Sequence, residues 1–438
     1  MTSSAGGAAP PHAYGSSPYR WYVVGVLTLI YACHALDRSL PNILVEPIRH
    51  EFGLSDSQLG VFSGLAFGAA FSAAALPMGY MSDRVGNRRN LLTGVVVLWS
   101  LLTVLGGLTR SFVQLVLVRI GLGAAEAGTA PLTMPMLSDI FPPDKRAFAL
   151  GIFYTSQPIG GFLATALGGL IAAEHGWRAA FFIAGVPGLL AAMLLFFTVR
   201  DPRRGGTEAK AGLDAAPEPP AKVGEAFAHL WRNPALIWLI LGCTTLGLLN
   251  ITLGAWMGSF FIRVHGLGLA ETGLILGGAA AVCSLTSPPL FGWMADRLAA
   301  RSPRWPLRVV WMAGLGSLAL TLLQLFTPVL AVAIVCFVLA DVLRVGYSPP
   351  SYSVLMTRTP PRMRGSVMSV VQLTTAAMGF GVGPILTGAL SDFYGGGVAI
   401  RYAMAWVSLL FIVAAVLLML ASRGLYGRSA TPEAPPAR

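Results

Sequence analysis

Charge is what this sequence has least of. Of its 438 residues only 11% are Asp, Glu, Lys or Arg, against 55% hydrophobic, and the mean hydropathy is +0.68. Soluble domains carry about a quarter charged residues, so a folded soluble enzyme is excluded and a membrane protein indicated. Cysteine is nearly as scarce. Cys33, Cys243, Cys283 and Cys336 all fall in apolar runs, without the spacing of a zinc site or a disulfide framework, and read as small core hydrophobes. A Walker loop, a nucleophile elbow and a metal-ligand cluster are missing too, and the polar segments are too short for a catalytic domain, so no enzyme activity is expected. The opening MTSSAGGAAPPHAYGSSPYR lacks a basic leader followed by a short apolar core, and reads as a disordered tail over residues 1–20.

What remains is a chain of apolar blocks, each of about 20 residues and so long enough to cross ~30 Å of hydrocarbon as a helix. Twelve are legible, six in residues 21–199 and six in 235–422, with a linker at 200–234 and a tail at 423–438. Within the linker, KVGEAFAHLWRN has the pattern of a short amphipathic helix on the cytoplasmic face, although a plain tether is the simpler reading. The net charge of +11 invites a nucleic-acid partner, but its distribution argues against one. With the first span running outward, 22 Lys and Arg residues fall in the even loops and the two ends, five in the odd loops, and only Arg38, Arg119 and Arg344 inside the bilayer. This is the positive-inside pattern, and it puts both termini in the cytoplasm.

The two sets of six repeat. GYMSDR at 79–84 returns as GWMADR at 292–297, an offset of 213 at which Gly60 meets Gly273 and Asp37 meets Asn250. Further on the offset becomes 218: PPDKR at 142–146 returns as PPRMR at 360–364, and EAGTAP at 126–131 aligns with RVGYSP at 344–349. A duplicated six-span unit is a transporter architecture, with the binding site between the halves near mid-membrane.

On these residues the chain resembles the major facilitator superfamily over nearly its full length. GYMSDRVGNRR, residues 79–89, looks like that superfamily's signature loop, and Asn87 is a small departure from it. LVLVRIGLGAAEAG in span four, PDKRAFALG before span five and GWRAAFF at span six support the match in order. The resemblance implies an all-α membrane fold of two pseudo-symmetric six-helix bundles whose spans one, four, seven and ten line a central cavity. It implies a gating role for Gly79, Asp83, Arg84, Gly86 and Arg88, and for Asp296 and Arg297 in the second copy, as a latch between the halves. The glycines would allow close helix approach and a tight turn, while the arginines stay at the cytoplasmic interface, where they also fix topology.

Charged groups at mid-membrane cost ~2.5–3.5 kcal/mol each on insertion scales and persist where they act on an ion or a substrate. In YACHALDRSLP, residues 31–41, Asp37 and Arg38 stand side by side. The expectation is a proton site whose occupancy depends on where Arg38 points, with Glu126 as a second coupling carboxylate. Arg119 and Glu126, seven apart, share one face of span four, and Asp341 and Arg344, three apart, can pair on span ten. The repeat aligns Glu126 with Arg344, so they are expected to face one another in at least one state. His34 lies on the same stripe as Asp37 and Arg38 and reads as a hydrogen-bonded helix residue. The plain alternative is that the charges only tie helices together.

Within the superfamily, ALDRSLPNILVEPIRHEFGLSDSQLG is similar to the spinster family, with its Asp-Arg pair in span one, and Arg119 and Glu126 match that family's charged positions in span four. The resemblance implies an amphipathic lipid with an anionic headgroup, of the lysophospholipid or sphingosine 1-phosphate kind, moved by a proton gradient without other cofactor. Arg119, Glu126, Asn250 and Arg344 are the binding candidates, and Tyr347, Trp256 and Phe260 candidates for the wall around a tail. A symporter of small organic anions such as sugar acids, using Tyr154, Gln157, Gln372 and Asn250, is the second reading, and a membrane receptor without transport the third. The partners expected are this substrate and membrane lipid, with the chain a monomer in a bacterial-type inner membrane.

Overall fold

The computed structural model describes residues 16–141, 143–202, 223–360 and 363–426. They form helices throughout, with no strand among the described residues. Eleven stretches are long and apolar enough to cross a membrane: Ser17–Phe52, Asp56–Ser82, Arg88–Leu108, Phe112–Ile140, Phe148–Thr198, Pro234–His265, Leu269–Ala299, Trp305–Phe326, Leu330–Thr357, Arg364–Phe393 and Gly397–Leu425. The 51-residue stretch is two spans, because Gly176 at φ 79° breaks its helix. Twelve spans result, numbered here in chain order, with spans five and six joined at that single glycine.

Local chemistry sets the ends. Ser16 caps the first helix by accepting from the Tyr19 amide at 3.4 Å, so it begins at Ser17, ahead of the expected Trp21. Span one ends at Gly53 with φ 62°, and span two opens with a capping box in which Ser55 and Gln58 satisfy each other's backbone amides. The same turn recurs 213 residues later. Gly266, φ 69°, ends span seven, and the Glu271 carboxylate accepts from the Gly268 amide at 3.1 Å.

Spans four and ten are each broken near mid-membrane, at places related by the second repeat offset. Span four consists of Phe112–Glu126 and Thr129–Ile140, and span ten of Leu330–Val345 and Ser348–Thr357. Each break holds a glycine pressed onto the preceding hairpin: a side chain at Gly128 would strike Met78, and one at Gly346 the ring of Phe291. Met78 and Phe291 are themselves repeat partners. The duplication read from short motifs therefore extends to packing that no motif displays.

The two halves meet along two seams, spans two with eleven and spans five with eight. On span two, Gly60, Gly64 and Gly68 form a stripe of small residues against span eleven, where an added side chain at Gly60 would come within 2.6 Å of the Pro384 carbonyl and one at Gly64 would collide with that of Phe380. Both helices carry a wide π-helical turn at this seam, Val61–Leu65 and Ala377–Val382. On the other seam Gly273 abuts Thr165 and Gly169, and Gly277 abuts Thr165 and Phe162. All these contacts lie toward the outer face. Toward the cytoplasm spans five and eight part around an apolar cleft of about 690 Å³ lined by Tyr154, Pro158, Phe162, Leu285, Pro288 and Val345. The arrangement is inward-facing.

The plain-tether reading of KVGEAFAHLWRN is corrected: Val223–Arg232 is a helix, with Leu230 buried and Trp231 exposed. Leu230 is the residue by which it packs back on the bundle. Residues 203–222 of the expected linker at 200–234, 1–15 of the expected tail at 1–20 and 427–438 of that at 423–438 lie outside the described residues.

Candidate functional site

His34, Asp37, Arg119 and Glu126 lie on spans one and four, and none is more than 2% exposed. Glu126 is the last residue of its half-helix, where it meets the negative end of the backbone dipole, and the group facing it comes from span one: His34 Nε2 stands 3.3 Å from Glu126 Oε2. Tyr31 stacks on the His34 ring, 4.9 Å between centroids and 18° between planes, and fixes its orientation. Arg119 reaches toward span two, donating from Nε to the Phe62 carbonyl at 3.4 Å, with its guanidinium 4.9 Å from the Phe67 ring.

Asp37 and Arg38 form no ion pair with each other in this conformation: the guanidinium points away from the acid. Consecutive residues of a helix project about 100° apart. Asp37 is turned into the N-terminal bundle, and its carboxylate oxygens have no hydrogen-bond partner. Arg38 is turned to the seam with span eleven, its guanidinium 4.3 Å from the Phe380 ring and 5.6 Å from those of Phe67 and Phe71. Arg38 and Arg119 thus both lie on Phe67 and hold two cations at one aromatic surface.

In the other half Arg344 binds Asp341, three residues before it, and its Nη1 donates to the Leu249 carbonyl at 3.3 Å and that of Asn250 at 3.4 Å. Asn250 thus enters through its backbone. Glu126 and Arg344 occupy equivalent positions but do not meet in this conformation, because each has a nearer partner, His34 and Asp341 respectively. Tyr347 lies at the break of span ten, with its ring edge-on to Tyr352 at 6.2 Å. Trp256 and Phe260 are not on an open wall: both are fully buried, and Trp256 Nε1 donates to the Pro384 carbonyl at 3.1 Å, bracing span eleven.

Among the latch residues Gly79, Arg84, Gly86, Asp296 and Arg297 are disengaged. Nothing lies within 4 Å of where a side chain would project from Gly79 or Gly86, and Gly86 has no positive φ, so neither glycine serves close approach or a strained turn here. The cytoplasmic ends have parted, which removes the surface these glycines would meet. Arg84 is exposed and stacks on Tyr80 at 4.1 Å, while Asp296 and Arg297 are exposed, the latter over Trp293. The side chain of Asp83 lies outside the described residues. Arg88 departs from the interfacial role expected of it: it is buried and bonded to Asp139 at 2.7 Å, within the N-terminal half.

Sequence reasoning missed the strongest charge cluster between the halves. Arg263, counted as an outer-loop cation, is buried at the end of span seven, where it donates to Glu46 at 2.8 Å and as a fork to Asp56 at 2.8 Å on both oxygens. Asp392, from span eleven, accepts the Asp56 and Ser57 amides at 2.8 Å and so caps span two from the opposite half. The signal was present: Glu46 and Asp56 flank a helix turn, and Arg263 is the last cation before the equivalent turn in the repeat.

Comparison with known proteins agrees with this architecture. Residues 27–376 match the Major Facilitator Superfamily profile. An MFS-type efflux pump of Mycolicibacterium smegmatis is 30% identical over 87% of both chains. Protein spinster homolog 1 of Homo sapiens is 30% identical over 64% of this chain, which spans about half, 52%, of that longer protein. A probable L-galactonate transporter of Escherichia coli is 28% identical over 85% of this chain and 84% of its own. Among solved structures, a bacterial homologue of the human lysosomal transporter spinster, inward-facing and unoccupied, superposes with a TM-score of 0.83 at 28% identity, covering 94% of this chain and 98% of that one. These relatives are transporters rather than enzymes. The chain is a multi-pass membrane protein of the inner-membrane type that belongs to the Major Facilitator Superfamily, within which it is similar to spinster proteins.

Proposed function

We propose that this protein is a proton-coupled transporter of an amphipathic lipid with an anionic headgroup, of the lysophospholipid type, working by alternating access as a monomer. The halves at 21–199 and 235–422, joined by the linker at 200–234, rock as two units. One observation carries the reading: the same bundle holds buried guanidinium groups, Arg119 and Arg344, with a His34–Glu126 pair, and a cleft between spans five and eight whose walls are almost wholly apolar. A fork of N–H donors matches phosphate or carboxylate, and an apolar cleft accepts a tail. Asp37, buried without a hydrogen bond, is the proton site in this scheme, and Arg38 reports the state of the seam to it through span one. Arg119, Glu126, Arg344 and Tyr347 bind the headgroup, and Asn250 shapes the site through its carbonyl.

The test is flux in proteoliposomes under an imposed pH gradient, with lysophospholipids in one series and sugar acids in the other. Lipid-dependent proton movement is expected. Sugar-acid-dependent flux alone would replace the lipid with the small anions named for the Escherichia coli relative. Ligand binding without any flux would replace the transporter with a receptor.

A further inference from the structure

The outer closure is built from groups that the transport site does not use. Glu46 and Asp56 belong to the N-terminal half, with side chains 5% and 0% exposed, and one guanidinium from the C-terminal half, Arg263, satisfies both. Ser391 adds a bond to Asp56 at 2.6 Å, also from the C-terminal half. When the halves rock apart at this face, Arg263 and Ser391 leave together. Two buried carboxylates would then lose nearly every partner they have, and uncompensated buried charge of this kind is among the costliest arrangements a protein can adopt.

A second arginine stands ready on the same side as the acids. Arg49, near the end of span one, has its Nε 3.6 Å from Asp56 Oδ1 and its Nη1 4.0 Å from Glu46 Oε2. Those distances are beyond hydrogen bonding, and Arg49 Nε is buried with no hydrogen-bond partner. Arg263 occupies the favourable directions at both carboxylates, and the glycine turn at 395–397, of the C-terminal half, lies against the pair, with Gly396 facing Arg49 Nη2 and Asp56 Oδ2. Removing the C-terminal half from this face takes away both obstacles at once. Arg49, 26% exposed along its side chain, has room to shift inward.

We infer that Arg49 is the exchange partner of the outer gate: it takes over Glu46 and Asp56 as Arg263 withdraws, and so stabilises the outward-open state as Arg263 stabilises the inward-facing one. The two arginines compete for one pair of acids, and the gate opens by trading one cation for the other. This assigns Arg49 a positioning role in alternating access and rests on the rocking of the halves proposed above.

The sign of the effect is the test. Spin labels on Glu174→Cys and Val398→Cys, exposed outer positions in opposite halves, report the separation of the outer ends, since the four native cysteines are buried. In the full-length protein in lipid nanodiscs, Arg263→Gln is expected to raise the ratio of open to closed outer ends by roughly tenfold, the scale on which charged hydrogen bonds act. Arg49→Gln is expected to lower it, and to lower it again in the Arg263→Gln background. Arg49→Lys, the variant to use if Arg49→Gln fails to fold, keeps the charge without the fork and falls between. An Arg49→Gln shift toward open ends, or none, would overturn the exchange while leaving rocking intact. Failure of Arg263→Gln to move the labels would overturn the rocking itself.

Discussion

Asp37 and Arg38 adjoin in sequence but serve different surfaces. The carboxylate is enclosed by the N-terminal bundle, and the guanidinium lies against Phe380 of the C-terminal half, 4.3 Å from its ring. Span one thereby joins an interior acid to the moving seam through one peptide bond. Any slide of span eleven past span two changes what Arg38 touches, and through the helix backbone the position of Asp37.

Replacing Asp37 by Asn keeps the shape and removes the titrating group. The variant should fold with wild-type yield while substrate flux loses its dependence on the pH gradient. Proteoliposome flux measured at several imposed gradients checks this, and a wild-type response would remove Asp37 from the coupling role.

Arg344→Ala should weaken binding of an anionic ligand by about 10- to 100-fold, the range for lost hydrogen bonds to a charged partner. It also strands Asp341, at a cost of ~3–5 kcal/mol in stability where the acid stays charged and buried. Pairing it with Asp341→Asn should restore stability without restoring affinity. Thermal unfolding and ligand titration of both variants separate the two roles.

Gly64→Val puts a branched side chain into the Phe380 carbonyl. The outer seam has no slack there, so closure should lose roughly 1–3 kcal/mol, typical of overpacking, and the outer ends should open. Gly25→Val, at a position with nothing within 4 Å, is the control and should be silent. Accessibility of an outer-seam cysteine to an impermeant thiol reagent reads the difference.

Trp256→Phe removes the indole N–H donated to Pro384 and keeps most of the ring. About 1 kcal/mol of stability should be lost. Ligand affinity should not change, because the side chain is walled off from the cleft. A drop in affinity with unchanged stability would return Trp256 to the binding site.

The two arginines of the signature loop should behave differently. Arg88→Ala breaks the ion pair with Asp139 and should lower the melting temperature clearly. Arg84→Ala, exposed, should leave the melting temperature within a degree or two and act on transport rate alone.

The spans, the duplication and the buried charges were legible because hydrocarbon imposes a length and a composition on whatever crosses it. Short repeated motifs then placed Glu126 opposite Arg344 in the aligned halves. What could not be read was which partner each charge takes. Glu126 finds His34 and Arg344 finds Asp341 because local geometry offers a partner nearer than the one across the pseudo-axis. The direction in which Arg38 points was hidden as well, although the angular step between helix neighbours already turns it away from Asp37. Arg263 was hidden because an arginine near a span end has the same composition signal whether it faces water or closes a seam.

Burial of charge is unequal between the two faces. The outer closure keeps its ions dry, with Arg263 only 5% exposed along its side chain, whereas Arg84, Asp296 and Arg297 at the inner face stand in solvent. Dissolved salt screens exposed charges over about 8 Å at physiological strength and barely reaches enclosed ones. Raising ionic strength therefore acts on the solvent-facing charges of the inner face and leaves the dry outer closure of this conformer intact.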